Sequence, residues 1–488
     1  MVFVGTNEGY LHAFNSQDGQ ELFAFIPPEL LGNLKTFYEN SAGAVRPYGL
    51  DGDLTLWLDD KNNNGIVDSS SEHAYLYAGM RRGGRNYYAL DVTEKNNPKY
   101  LWTIRGGQGL DFAELGQTWS KPVKSKVRLD SQIKDVLIFG GGYDNAQDKT
   151  TSRSADAVGN TLYIVDALDG SLLWKASSNS NSDYSQMIYS MPSDPRIIDV
   201  DGDGLVDQIY IGDMGGQIWR FDVNNGGGNT TQLVTGGLIA DLAGTESENN
   251  RRFFYPPDVS LIEEGGDFYL SVAIGSGNRT HPLGKSVNNR FYMIKQSDIY
   301  NAPAGYGVID TPATANQPAN YRAITEDDLY NATANDVTSA DSEVSLAATD
   351  ALRNSYGWLL HLDSDGEKVL GTSATINNHI IFATYNPDTA GQSTDICQLA
   401  AGGNRAYIVS LFDASPADGS SNPADRHQDL EQPGIAGTVS VIIDRGSDPG
   451  SEEDSGWSVN AIVALEPVKN LPSVPLVRRL YWSEYPDF

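Results

Sequence analysis

The chain has one cysteine, Cys397, among its 488 residues. A single thiol excludes an intrachain disulfide framework, a Cys-X-X-Cys metal site and a vicinal disulfide. It leaves pairing with another segment or partner, or the commoner role of a small buried apolar side chain. Long apolar runs are also missing. No stretch approaches the roughly 20 residues that cross a bilayer as a helix, so no membrane span is expected. No signal peptide is visible. Met1 leads at once into Val2-Phe3-Val4-Gly5, which reads as a strand, so the chain looks cut out of something longer.

Basic residues are scarce as well. Lys and Arg number 34 against 64 Asp and Glu, a formal net charge of −30. Such a surface repels nucleic acid and anionic lipid, and neither is expected as a partner. It suits a protein that holds divalent cations or works outside the cell, and it equally serves solubility. The 6 histidines are scattered, without an HExxH or HxH pair. There is no GxSxG elbow and no Rossmann fingerprint in context. Gly284-Lys285-Ser286 ends like a Walker loop, but Arg279 stands where its first glycine should be. No catalytic constellation emerges and no enzyme is expected. With so many carboxylates, a glycosidase-type acid pair stays open at this level.

What the chain does have is glycine, 50 residues, and tyrosine, 25. Glycine feeds tight turns and tyrosine favours strands, so the composition points to β structure. A loose repeat confirms the direction. A short apolar strand leads through a glycine turn to an aromatic-rich strand, then often to Asp and another turn. Val2-Phe3-Val4-Gly5 leads to Tyr10-Leu11-His12-Ala13-Phe14, and Tyr75-Leu76-Tyr77-Ala78-Gly79 to Asn86-Tyr87-Tyr88-Ala89-Leu90. The unit recurs at Val136, Gln208, Leu270 and Ile380. Radial repetition of small sheets is the propeller solution to exposed edges, with a period of about 40–50 residues per blade. The expected fold is all-β, a modified β-propeller of about seven blades in one domain over residues 1–488, with loop insertions. One insertion is expected at residues 298–353, poor in apolar anchors, with short helices such as residues 343–351. A long loop is expected at residues 412–456, interrupted by a strand at residues 438–443. Residues 476–482 could form a last strand that closes the ring.

The sharpest chemical signal is Asp199-Val200-Asp201-Gly202-Asp203-Gly204-Leu205-Val206-Asp207. Acidic residues stand at loop positions 1, 3, 5 and 9, with glycine at 6. Calcium takes six to eight oxygens, and this spacing lets Asp199, Asp201, Asp203 and Asp207 converge, with the carbonyl of Leu205 as a further donor. The flanks read as strands, so this is a calcium loop between strands and not an EF-hand. A plain acidic turn is the alternative. A second run has the same register: Asp60, Asn62, Asn64, Gly65, Ile66 and Asp68. Two asparagines replace two aspartates, so a weaker calcium site is expected, with an Asn-rich hairpin turn as the alternative. Asp363-Ser364-Asp365-Gly366-Glu367 lacks the fourth ligand and reads as a hairpin turn.

Residues 2–27, the stretch GGRNYYALDV at residues 83–92, residues 199–223 and the tail Arg478-Arg479-Leu480-Tyr481-Trp482 together resemble the PilC/PilY family of type IV pilus biogenesis proteins. The resemblance implies a modified β-propeller with a D-x-D-x-D-G-x-x-D calcium loop, carried here by Asp199, Asp201, Asp203, Leu205 and Asp207. It further implies export (to the cell surface, in association with the pilus, or to the outer membrane and periplasm), partnership with pilins or minor pilins, contact with a host or surface ligand, and roles in pilus assembly, adhesion and twitching motility. In that family calcium occupancy opposes pilus retraction. The N-terminal adhesion module usual in the family is absent from this chain, and no Arg-Gly-Asp tripeptide occurs, so integrin binding does not carry over. Two other readings compete. Asp166-Ala167-Leu168-Asp169-Gly170-Ser171-Leu172-Leu173-Trp174 also resembles the blade repeat of quinoprotein dehydrogenases, although the vicinal disulfide of many such enzymes is impossible here. A carbohydrate-binding or carbohydrate-hydrolysing propeller is the third.

Overall fold

The computed structural model describes the chain except residues 42, 44–45, 68–70, 227, 315–316, 388–401, 446–456, 469–470 and 472–488. Cys397, Asp68 and the stretch 476–482 lie outside the described residues.

Successive strands pair with their sequence neighbours to build small antiparallel sheets in chain order. The first holds Val2–Gly5, Leu11–Phe14 and Glu21–Phe25. The second holds Leu54–Asp59, His73–Gly79, Asn86–Asp91 and Lys99–Arg105, and the third Val123–Leu129, Gln132–Gly140, Thr161–Asp166 and Leu172–Ser177. The fourth comprises Arg196–Ile198, Gln208–Gly212, Gln217–Val223 and Val234–Asp241. The fifth joins Asp258–Glu264, Asp267–Gly275, Arg290–Gln296 and Gly357–His361, with Tyr330–Asn331 added in parallel at its edge. The sixth is built on His379–Asn386, Gly403–Ser410 and His427–Leu430, and the seventh on Ser440–Arg445, Trp457–Val463 and Glu466–Pro467. These are the blades of a β-propeller.

Side-chain alternation explains why the strand runs are apolar on both faces. In the second and third blades, Tyr77, Tyr87, Phe139 and Tyr163 fill one interface. Their neighbours point the other way: Leu76 and Leu90 meet Leu11 of the first blade, and Ile138 and Ile164 meet Ile209 and Phe221 of the fourth. The same rule carries Tyr210 and Ile218 to Tyr292 of the fifth blade, Phe291 and Met293 to Phe382 and Tyr407 of the sixth, and Ile381 and Ile408 to Ala461 and Val463 of the seventh. The central strands of the second to sixth blades are therefore each buried between two neighbouring sheets.

The segment between Arg290–Gln296 and Gly357–His361 departs from the sequence expectation. It contains the helix Ser342–Arg353, but residues 298–332 are well anchored. Ile299, Val308, Ile324, Leu329 and Ala332 are all buried. Val308–Thr311 and Asn320–Arg322 form a ribbon, and Ile324 bridges Ala240 in parallel fashion at the edge of the fourth blade. The anchors are spaced without strand or helix periodicity, so no pattern marks them in the sequence. The expected loop at residues 412–456 is also corrected. The strand expected at residues 438–443 is present as Ser440–Arg445, but the described part also contributes the helical turn Pro423–Arg426 and the strand His427–Leu430, which pairs with Gly403–Ser410. That strand is a polar edge strand, and edge strands lack the apolar run that marks central ones. Residues 363–367 form no hairpin: the turn passes from the fifth blade to the sixth, and Glu367 is buried against Arg405 at 2.9 Å, Thr384 at 2.5 Å and Tyr407 at 3.2 Å.

Candidate metal centre

Residues 199–207 connect the first two strands of the fourth blade, whose last paired residues are Ile198 and Gln208. The loop closes on its base, where the Asp207 backbone nitrogen donates to the Ile198 carbonyl at 2.8 Å. Its curl is made by carboxylates accepting from backbone nitrogens. Asp199 accepts from Gly202 at 2.7 Å and Gly204 at 2.8 Å. Asp201 accepts from Asp203 at 3.1 Å, Asp203 from Leu205 at 2.8 Å, and Asp207 from Val200 at 2.7 Å. Gly204 holds φ at +83°, which glycine adopts at no steric cost. Leu205 and Val206 are buried and fix the loop to the blade.

The consequence is a convergence of charge. Carboxylate oxygens of Asp199, Asp201 and Asp207 lie within 4.8 Å of one another. At that separation each pair repels by roughly 1–3 kcal/mol, between the water-like and the near-surface dielectric limits. Burial raises the pKa of Asp207, and the charges of Asp201 and Asp199 add to the rise. The sign follows: the ion-free loop is favoured while Asp207 is protonated and loses that advantage as pH rises through its raised pKa. A cation with hard-oxygen preference fits this donor set, since every converging atom is a carboxylate oxygen.

Of the loop residues singled out from sequence, Asp199, Asp201 and Asp207 come together. Asp203 is not among the converging groups; its carboxylate accepts from the Leu205 nitrogen. One participant carried no sequence signal. Asn225 lies after the third strand of the blade and donates to the Val206 carbonyl at 3.0 Å and to Asp207 at 3.4 Å.

The loop after Leu54–Asp59 repeats this geometry. Asp60 accepts from Gly65 at 2.7 Å and from Asn62 at 3.1 Å, Asn62 from Asn64 at 3.0 Å, and Asn64 from Ile66 at 2.7 Å. Gly65 has φ of +77°. The side-chain amide of Asn62 donates to Glu72 at 2.9 Å, and Glu72 is buried. Sequence reasoning passed over Glu72 because it falls outside the nine-position register. Among the described residues, no other three His, Cys, Asp or Glu side chains converge as Asp199, Asp201 and Asp207 do.

Residues 1–235 match the family model described as the PilY1 beta-propeller domain. The chain is 31% identical over 371 residues to the type IV pilus biogenesis factor PilY1 of Pseudomonas aeruginosa, covering 73% of this chain and 29% of that protein. It is 25% identical over 442 residues to a type IV pilus biogenesis factor PilY1 homolog of Xylella fastidiosa, covering 87% of this chain and 27% of that protein. The chain thus spans less than a third of the length of these relatives. The crystal structure of the Pseudomonas aeruginosa PilY1 C-terminal domain aligns with a TM-score of 0.58 at 19% identity, over 96% of this chain and 91% of that one, which shows a shared fold. A quinohemoprotein alcohol dehydrogenase from Comamonas testosteroni aligns at 11% identity with a TM-score of 0.41, a likeness that carries no argument about chemistry.

Proposed function

The chain belongs to the PilC/PilY family through its PilY1-type β-propeller, and from that premise we propose that it is the calcium-responsive domain of an exported, pilus-associated factor. Its work on this reading is non-catalytic. It engages pilus components, pilin or minor pilins, and contributes to attachment to a host or other surface. Calcium at Asp199, Asp201 and Asp207, with Asp203 and the Leu205 carbonyl as further oxygens, sets the balance between pilus extension and retraction and so twitching motility. The loop of Asp60, Asn62, Asn64, Ile66 and Asp68 is a second, weaker calcium site.

The observation that carries this reading is the convergence of Asp199, Asp201 and Asp207 carboxylate oxygens within 4.8 Å. Bound calcium supplies the positive charge that three carboxylates in one loop lack, and makes a single loop conformation favourable. The chain's own contribution is to hold the oxygens in place through Gly202, Gly204 and Val200 nitrogens and through Asn225.

The test is calcium titration calorimetry of the calcium-stripped chain beside Asp201→Ala, followed by motility of cells carrying the same substitution in the full-length protein. Loss of the tighter site together with altered twitching supports the proposal. Absence of binding at millimolar calcium removes its physical basis.

A further inference from the structure

The metal loop is not an isolated surface feature. Gln208 follows Asp207 directly and is buried. Its side-chain amide donates to the Ile299 carbonyl at 2.6 Å, and its oxygen accepts from the Tyr210 hydroxyl at 3.0 Å. Val200, inside the loop, packs against the cluster that holds Ile299, Val308 and Ile324, as does Tyr306. A second route starts at the Asp207 carbonyl, which accepts from the Val223 nitrogen at 2.7 Å. The adjoining Asp222 accepts from the Tyr306 hydroxyl at 2.8 Å and from Arg220 at 2.7 Å, and Arg220 also donates to the carbonyls of Asp298 and Asn301. Tyr306 lies on Gly237, where an added Cβ would come within 2.4 Å of its ring.

The far end of this segment is clamped to the next blade. Glu326 accepts from the Tyr292 hydroxyl at 2.7 Å and pairs with Arg251 at 3.0 Å and with Arg290. The described residues 298–314 and 317–331 therefore form a strap from the fourth blade to the fifth. Its first half carries the bonds to Gln208, Arg220 and Asp222. Between the anchors it exposes Tyr300 and Ile309.

We propose that this strap is the output element of the metal loop, so that cation occupancy at Asp199, Asp201 and Asp207 is read as ordering of residues 298–311. The inference rests on the metal reading of that loop. An ion that fixes Val200 and Asp207 also fixes the floor on which Ile299 and Tyr306 sit. Removing it lets three like charges push that floor apart. Coupling of this kind is reciprocal: whatever factor calcium adds to strap order, strap order must add to calcium affinity.

Hydrogen exchange of the whole chain, with and without calcium chloride, tests the proposal. In the unmodified chain, calcium slows exchange of residues 298–311 by about fivefold or more, with no change in the sixth-blade strand Gly403–Ser410. Gln208→Leu and, as a milder variant certain to retain the ring, Tyr306→Phe reduce that protection and weaken calcium binding by matching factors in calorimetry. The proposal is overturned if calcium binds and protects residues 199–207 while the strap exchanges as before. It is equally overturned if both variants lose strap order with calcium affinity unchanged. If calorimetry detects no binding at all, the metal reading itself fails and takes the proposal with it, an outcome distinct from the other two.

Discussion

The backbone nitrogen of Gly65 donates to Oδ2 of Asp60 at 2.7 Å, the bond by which the sixth position of the loop fastens to the first. Gly204 makes the same bond to Asp199 at 2.8 Å. Two loops in different blades thus share one backbone frame and differ in the charge hung on it. Asn62 and Asn64 stand where Asp201 and Asp203 stand, so the second loop has two fewer carboxylates in the same register. Ligand charge sets calcium affinity. The expected titration is biphasic, with the second site at least about tenfold weaker. Asp201→Ala removes the tighter phase and Asp60→Ala the weaker. A single phase that survives Asp201→Ala unchanged contradicts the assignment.

Glu72 modifies this expectation. It is buried and accepts from the Asn62 amide at 2.9 Å, so a carboxylate stands behind the neutral side chain. Glu72→Gln is expected to weaken the second phase by about three- to tenfold while leaving the first untouched, in line with the effect of lost outer-shell partners on metal sites. Equal affinities in the two proteins would confine Glu72 to a structural bond with Asn62.

The fold was legible where both faces of a strand are buried. Val136-Leu137-Ile138-Phe139 is apolar at every position because alternate residues serve two interfaces, and such runs stand out. The convergence of Asp199, Asp201 and Asp207 was legible because alternate acidic residues in a glycine-closed loop turn their carboxylates to one side. What stayed hidden depends on contacts distant in sequence. Asn225 reaches Asp207 from across the blade, and Glu326 is held by Arg251 and Arg290. No local pattern encodes such pairings. His427–Leu430 stayed hidden for another reason: an edge strand needs only backbone bonds, so its side chains need not advertise it.

Arg220 tests whether the fourth blade depends on a buried pair. Its side chain is fully buried and meets Asp222 at 2.7 Å. Arg220→Met leaves the Asp222 charge without its guanidinium and is expected to cost about 3–5 kcal/mol in denaturant unfolding. Adding Asp222→Leu should recover part of that loss, because the uncompensated charge is gone. If the double variant is no better than the single, the cost lies in the bonds from Arg220 to Asp298 and Asn301 and not in the pairing.

The glycines of GGRNYYALDV have a steric reason. A Cβ on Gly83 would lie 1.7 Å from the Gly49 carbonyl oxygen. Backbone against backbone cannot yield as a flexible side chain can. Gly83→Ala is therefore expected to destabilise by about 3 kcal/mol, at the upper end of ordinary overpacking, and to lower the yield of soluble chain. Gly19→Ala is the control, since nothing lies within 4 Å of a Cβ there, although its φ of +73° still carries a strain cost. Similar losses at both positions would mean that the close approach at Gly83 costs no more than the positive φ at Gly19.

Acid should loosen the strap through Asp328. The Arg322 guanidinium bonds to it at 2.6 and 2.7 Å and holds its pKa down to about 2, with burial opposing and the Thr325 nitrogen and hydroxyl assisting. A depressed carboxylate contributes stability that is complete above its unfolded pKa of 3.8 and is lost as pH falls through about 2. The shift corresponds to about 2 kcal/mol at face value. Arg322 is 43% exposed, so solvent and salt reduce this to about 1 kcal/mol or less. Limited proteolysis within residues 308–331 at low salt is the readout. The unmodified chain should become susceptible as pH falls from 4 towards 2, and high salt should shift the change to higher pH. Asp328→Asn should be susceptible already at pH 5 and show a smaller further change. The Glu326 pairs with Arg251 and Arg290 are common to both proteins, so the difference between the two profiles isolates Asp328. Superimposable profiles would show that the ion pair with Arg322 leaves strap stability unaltered.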